Sequence, residues 1–151
     1  MESDPIKLSP TQPGDGPSDA ERFARVRQAN QSELAEDYVE MIAELIELHG
    51  EARATDLADR FGVSPGTVAR TIQRLARDGL VESQPYRSIF LTSKGRELAA
   101  AARERHLLVR DFLLAIGVGA HAAEMDAEGL EHHVGEETLA AFRRFLDRGT
   151  A

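Results

Sequence analysis

The 151-residue sequence contains no cysteine, which excludes disulfide staples and thiolate metal sites. Any metal ion held here must be bound through oxygen and nitrogen. No apolar run approaches eighteen residues, so no membrane-spanning helix is expected. The N-terminus lacks a basic segment followed by an apolar one, so no secretory leader is expected and a soluble cytoplasmic protein is the default. Net positive charge is missing too: the total is −8, which looks wrong for a nucleic-acid binder.

The charge is unevenly spread, however. Residues 1–50 carry 11 acidic and 4 basic side chains, residues 51–100 carry 6 and 8, and residues 101–151 carry 9 and 6. Within 64–96 stand Arg70, Arg74, Arg77, Arg87, Lys94 and Arg96 against only Asp78 and Glu82. A local basic surface matters more for steering DNA than the sum does.

Residues 1–17 hold four of the six prolines and few apolar side chains, and read as a disordered tail. Ser18 to Glu21 is an S-x-x-E capping box that opens a helix. The helical pattern runs to about His49, with Leu34, Tyr38, Met41, Ile42, Leu45 and Leu48 on its inward face and a break expected near Asn30. Thr55–Phe61 is a short helix and Gly62-Val63 a turn. Ser64-Pro65 then opens a second helix, because Ser is a favoured N-cap and Pro tolerates the first helical position, where its missing N–H has no partner to lose. Two short helices joined by a tight glycine turn form a helix-turn-helix. Leu80–Ser83 and Ile89–Thr92 read as strands around a basic tip, which makes the unit a winged helix. A further helix from Ser93 is broken at Gly117–Gly119, and two more follow at about 121–132 and 136–147. The expected fold is mainly α with a small β-hairpin wing: a DNA-binding domain over 18–100 and a helical metal-binding and dimerisation domain over 101–151.

In such a unit the start of the second helix faces the major groove. Ser64, Pro65, Gly66, Thr67, Arg70 and Thr71 occupy that start. Arg can read guanine with two hydrogen bonds, and Thr or Pro can pack on a thymine methyl. Arg74, Arg77, Arg87 and Lys94 are candidates for phosphate contacts. The same arginines could instead form a solvated face of a protein-binding domain.

The stretch DAEGLEHHVGEE, from Asp126 to Glu137, poses the second question. On a helix Glu128, Glu131 and His132 stand at i, i+3 and i+4 and share one face, which is half of a hard metal site. Further ligands would have to come from elsewhere; His106, Asp37 and Glu40 are the candidates. Taken alone, such a motif is more often a solvated helix face. Glu40 lies among Glu33, Glu36, Glu44 and Glu47, and His106 could be a core histidine. Gly129 costs about 1 kcal/mol inside a helix and suggests a helix end.

Taken together, ELAEDYVEMIAELI, ARATDLADRFGVSPGTVARTIQRLARDGLVE, FLTSKG, RERHLLVRDFLLAIGV and DAEGLEHHVGEETL resemble the iron- and manganese-dependent transcriptional repressors that include the diphtheria toxin repressor, over about 30–148. The resemblance implies metal bound by Asp37 and Glu40 of the first helix, His106 of the helix after the wing, and Glu128, Glu131 and His132. It further implies two close-spaced ions per subunit, bridged by Glu128 and Glu131, with the Glu128 carbonyl contributing. The iron-responsive branch has methionine near the position of Asp37 and cysteine at that of Glu128. Carboxylates at both point to the manganese branch, because harder oxygen donors suit Mn²⁺. The iron-responsive proteins also carry a C-terminal SH3-like domain, which a chain ending at Ala151 is expected to lack. The implied function is a homodimeric repressor that binds a palindromic operator of manganese-uptake genes when loaded with Mn²⁺, with activation of efflux as a further role. The helices around Leu107–Val118 and Leu139–Leu146 would form the dimer interface. No small organic substrate and no membrane partner are expected. Two alternatives remain on the residues themselves: a winged-helix regulator that works without metal, and a di-metal hydrolase.

Overall fold

The computed structural model describes residues 14, 16–84 and 87–149. Most of the proline-rich tail expected over 1–17 lies outside the described residues, as do Pro85 and Tyr86 at the wing tip. The order of elements is α1 (Asp19–His49), α2 (Ala54–Phe61), α3 (Pro65–Arg77), β1 (Val81–Glu82), β2 (Phe90–Leu91), α4 (Ser93–Ala115), α5 (Ala120–Leu130) and α6 (Glu136–Gly149). The strands pair antiparallel, Val81 opposite Leu91, and an isolated bridge from Ala52 to Ile89 ties the base of the wing to the end of α1.

Helix ends follow the local chemistry. At α1 the Ser18 hydroxyl accepts the Glu21 N–H at 3.2 Å while the Glu21 carboxylate accepts the Ser18 N–H at 2.6 Å. Gly50, at φ 78°, closes that helix in the left-handed conformation that glycine adopts at least cost. Ser64 caps α3 by accepting the Thr67 N–H, and Thr92 caps α4 by accepting the Gly95 N–H.

The structure corrects several sequence expectations. α1 runs unbroken through Asn30, and Ser32 returns its hydroxyl to the Gln28 and Ala29 carbonyls within the helix. Leu34 and Leu48 are exposed rather than inward; the buried residues of α1 are Glu36, Tyr38, Val39, Ile42 and Leu45. α5 stops at Leu130, so Glu131 is its C-cap and His132 lies in the turn beyond.

Two apolar clusters hold the chain. One, beneath the winged helix, gathers Tyr38, Val39, Ile42, Leu45, Leu57, Val68, Ile72, Leu75, Val81, Ile89 and Leu91. The other joins Val109, Ala127 and Leu139, with Leu108, Leu113, Val134 and Phe142 against them. α4 connects the two by packing along α1, α5 and α6. Its first turn is seated on the end of α3: Thr92 donates its hydroxyl to the Gly79 carbonyl at 2.6 Å, and Lys94 donates to the Asp78 carbonyl at 3.0 Å. Gly95 is required there, since a Cβ would run into the Leu80 carbonyl.

Candidate metal centre and nucleic-acid interface

α1, α4 and the turn after α5 converge on one acid–histidine cluster. His132 Nε2 lies 3.0 Å from Asp37 Oδ1 and 3.2 Å from Glu131 Oε1. His106 Nδ1 lies 3.4 Å from Glu128 Oε2 and 3.5 Å from Glu131 Oε2. Asp37, Glu128 and Glu131 each present an oxygen within 4.8 Å of the others. Glu40 is half-buried and lines the same cleft of about 530 Å³ as Asp37, His106 and Glu128. Five of the six expected ligands are thus linked by direct contacts and the sixth lines the adjoining cleft.

The electrostatics are those of a site short of positive charge. Glu131 is 1% exposed, and neither of its carboxylate oxygens has a hydrogen-bond partner; His106 Nδ1 has none either. Burial, with the Glu40 and Glu128 carboxylates nearby, pushes Glu131 up to about 8 despite the opposing pull of His132. Burial and Glu128 also raise Glu40. Burial would lower His132, but hydrogen bonds to Asp37 and Glu36 outweigh it and lift it to about 10. Buried acceptors without donors are costly, and a divalent cation with hard oxygen and imidazole donors is the species that would satisfy them. The donor set therefore fits a first-row metal ion.

Sequence reasoning passed over three residues here. Glu36, grouped with the solvated acids, is 8% exposed; its carboxylate meets His132 Nδ1 at 2.5 Å and Arg105 Nη2 at 2.7 Å. Glu124 contacts His106 Nε2 at 2.7 Å. Glu124 carried a signal, since it stands four residues before Glu128 on one face of α5. Glu36 and Arg105 carried none, because each simply precedes an expected ligand. His133 is exposed and faces Glu33 at 3.8 Å.

In the winged helix Ser64, Pro65, Gly66, Arg70, Arg74 and Arg77 are exposed along α3. Thr67 and Thr71 are half-buried, and the Thr71 hydroxyl donates to the Thr67 carbonyl at 3.0 Å. Arg87 is exposed and lines, with Arg53, Gln73 and Gln84, a cleft between α3 and the wing. Lys94 is exposed, its ammonium held by the Asp78 carbonyl.

A winged helix joined through one helix to a layer that buries carboxylates and imidazoles is the architecture of a metal-dependent, DNA-binding regulator. Comparison with known proteins gives its family. The iron dependent repressor N-terminal DNA binding domain matches residues 31–89, and the iron dependent repressor metal binding and dimerisation domain matches residues 92–150. The chain belongs to this iron dependent repressor family.

It is 53% identical over 128 residues to the transcriptional regulator MntR of Escherichia coli O6:H1, covering 85% of this chain and 83% of that one. Identity to the MntR of Salmonella typhimurium is 50% over 128 residues, covering 85% and 82%. Among solved structures, a manganese-dependent transcriptional repressor in complex with manganese superposes with a TM-score of 0.68 at 33% identity, over 75% of this chain and 52% of that longer one. The chain spans about half the length of that structure. The protein is a metal-dependent transcriptional regulator and not an enzyme, so the hydrolase alternative falls. Among the described residues no helix is long and apolar enough to cross a membrane.

Proposed function

We propose that the protein is a cytoplasmic, homodimeric repressor of manganese-uptake genes, activated by Mn²⁺, with activation of efflux as a further role. The observation that carries this reading is the convergence of carboxylates and imidazoles, in a chain without cysteine, around buried oxygens that lack a partner. Asp37, Glu40, His106, Glu128, Glu131 and His132 would hold the metal, two ions per subunit. The ion would supply positive charge that neutralises the cluster and ties α1 to α4 and to the turn after α5. Zn²⁺ and Cu²⁺ would bind such donors at least as tightly by the Irving–Williams order, so selectivity for Mn²⁺ rests on geometry and ion number. The similar solved structure described as a manganese-dependent transcriptional repressor in complex with manganese supports the choice of ion.

α1 belongs to both halves of the molecule. It packs under the winged helix through Tyr38, Ile42 and Leu45 and carries Asp37 and Glu40 to the cluster. Metal binding would therefore bias where the reading head sits, with a coupling of about 1–3 kcal/mol. We divide the chain into a DNA-binding part over 18–100 and a metal-binding and dimerisation part over 101–151. Ser64, Pro65, Gly66, Thr67, Arg70 and Thr71 face base edges, and Arg74, Arg77, Arg87 and Lys94 face phosphates, of a palindromic operator read by two subunits. The helices around Leu107–Val118 and Leu139–Leu146 would form the dimer contact, a reading supported by the exposed Leu114, Ile116 and Phe145 within them.

A mobility-shift titration on operator DNA, with chelator and with Mn²⁺, tests the reading. Affinity should rise at least tenfold with Mn²⁺. Equal affinity in both arms would favour the metal-independent alternative.

A further inference from the structure

Behind the proposed ligand set lies an ion pair between buried Glu36 and half-buried Arg105. Glu36 and Arg105 immediately precede the proposed ligands Asp37 and His106, on α1 and α4. Their side chains meet between the two helices at 2.7 Å, a close ion pair set off the hydrogen-bond line. The Glu36 oxygen that faces Arg105 also faces His132 Nδ1, at 2.5 Å. The opposite nitrogen, Nε2, faces Asp37 and Glu131. The two edges of one imidazole are therefore divided: one toward the cluster, the other toward the Glu36 carboxylate.

An imidazole that donates Nδ1–H to a carboxylate keeps its Nε2 lone pair free and aimed, and its ring cannot turn. His132 needs such a hold, because it lies in the turn beyond α5 rather than on a helix. No helical backbone sets its direction. Arg105 in turn holds the Glu36 carboxylate in place.

We propose that Glu36, held by Arg105, is the positioning residue for His132: it accepts the Nδ1 proton, fixes the ring with Nε2 toward the metal, and sets the affinity of the site without touching the ion. This rests on the metal-site reading above.

The test uses the full-length protein and two probes. Mn²⁺ affinity is measured by loss of the free-ion electron paramagnetic resonance signal. The His132 ring is observed by ¹⁵N NMR in the Zn²⁺-loaded protein, with His132→Ala identifying its resonances. Glu36→Ala should weaken Mn²⁺ binding about 10- to 100-fold, the usual range for a lost partner of a metal-bound histidine. It should also abolish the slowly exchanging Nδ1–H resonance. Glu36→Gln keeps the volume and an acceptor oxygen, so it should fall between wild type and Glu36→Ala; it also carries the test if the alanine variant fails to fold. Wild-type affinity within twofold for Glu36→Gln and Glu36→Ala, or a protected Nδ1–H that persists without Glu36, would overturn the proposal while leaving the site intact. An unchanged Mn²⁺ affinity in His132→Ala would instead overturn the metal-site reading itself.

Discussion

The Glu131 carboxylate lies 3.5 Å from His106 Nδ1, and neither facing atom has a hydrogen-bond partner although both residues are buried. One comes from the turn after α5 and the other from the middle of α4, so the contact exists only because the two helices are packed together. A carboxylate in that position destabilises the metal-free fold and serves the metal-loaded one.

Glu131→Gln should therefore stabilise the chelated protein and abolish its response to Mn²⁺. Removing the cost of burying this carboxyl, which the metal-free fold meets by holding a proton on it, is on the order of 1–2 kcal/mol, part of it offset because Glu131 also supports the His132 cation. That corresponds to a rise of a few degrees in Tm for a chain of this size. Thermal melts with and without Mn²⁺ measure both effects; a lower Tm in chelator would contradict the assignment of strain to Glu131.

Acid should favour the metal-free form. Glu131 at about 8 and His132 at about 10 both lie above their ordinary values of 4.5 and 6.5. The folded, metal-free protein therefore holds protons that the unfolded chain has already released. Its stability is greatest on the acid side and falls as pH rises from 4.5 to 8 through Glu131 and from 6.5 to 10 through His132. A metal ion must displace those protons, so Mn²⁺ affinity should climb about tenfold per pH unit for each proton displaced. Mn²⁺ titrations at pH 6 and pH 8 read this directly, and a flat profile would show that neither proton is displaced.

Glu128 presents an exposed carboxylate at the mouth of the cleft, 3.4 Å from His106 Nδ1. Glu128→Cys replaces a hard donor with a soft one and should shift the operator-binding response from Mn²⁺ toward Fe²⁺ or Zn²⁺. Mobility-shift titrations with each ion measure the shift; an unchanged metal profile would count against Glu128 as a ligand.

Gly95→Ala should lower Tm by several degrees, about 1–3 kcal/mol, because the new Cβ meets the Leu80 backbone carbonyl and forces the start of α4 away from α3. Thermal unfolding of the chelated protein checks it. Wild-type stability would mean that the junction is looser than the packing indicates.

Arg70 is exposed on the outer side of α3, between one and two turns beyond the Ser64 cap. Arg70→Ala should cost about 1–3 kcal/mol and relax preference at a single operator position if Arg70 reads a base. Uniform weakening across a panel of operator variants would assign it to phosphate.

Much of this architecture can be read from local chemistry. The S-x-x-E box, the Ser64-Pro65 start and the glycines at 50, 62 and 79 punctuate the helices, since caps and left-handed turns depend on neighbours in sequence. The proposed ligands could be listed because E-x-x-E-H falls on one helical face and because the residues around it resemble a known family. Burial was harder. Leu34 looks like a core residue by period, yet lies beside a shallow groove along α3, whereas Glu36 looks solvated and is buried.

Sequence alone determined the order of helices, the wing, the basic face of α3 and the hard character of the donors, because each follows from residue type and short-range spacing. Only tertiary structure decided which acids meet. Glu36 and His132 are 96 positions apart, and their contact depends on how α1 and α4 close over the turn after α5. No periodicity records that closure. It is set by the packing of two apolar clusters joined through α4, and that packing leaves the Glu131 carboxylate buried without a hydrogen-bond partner.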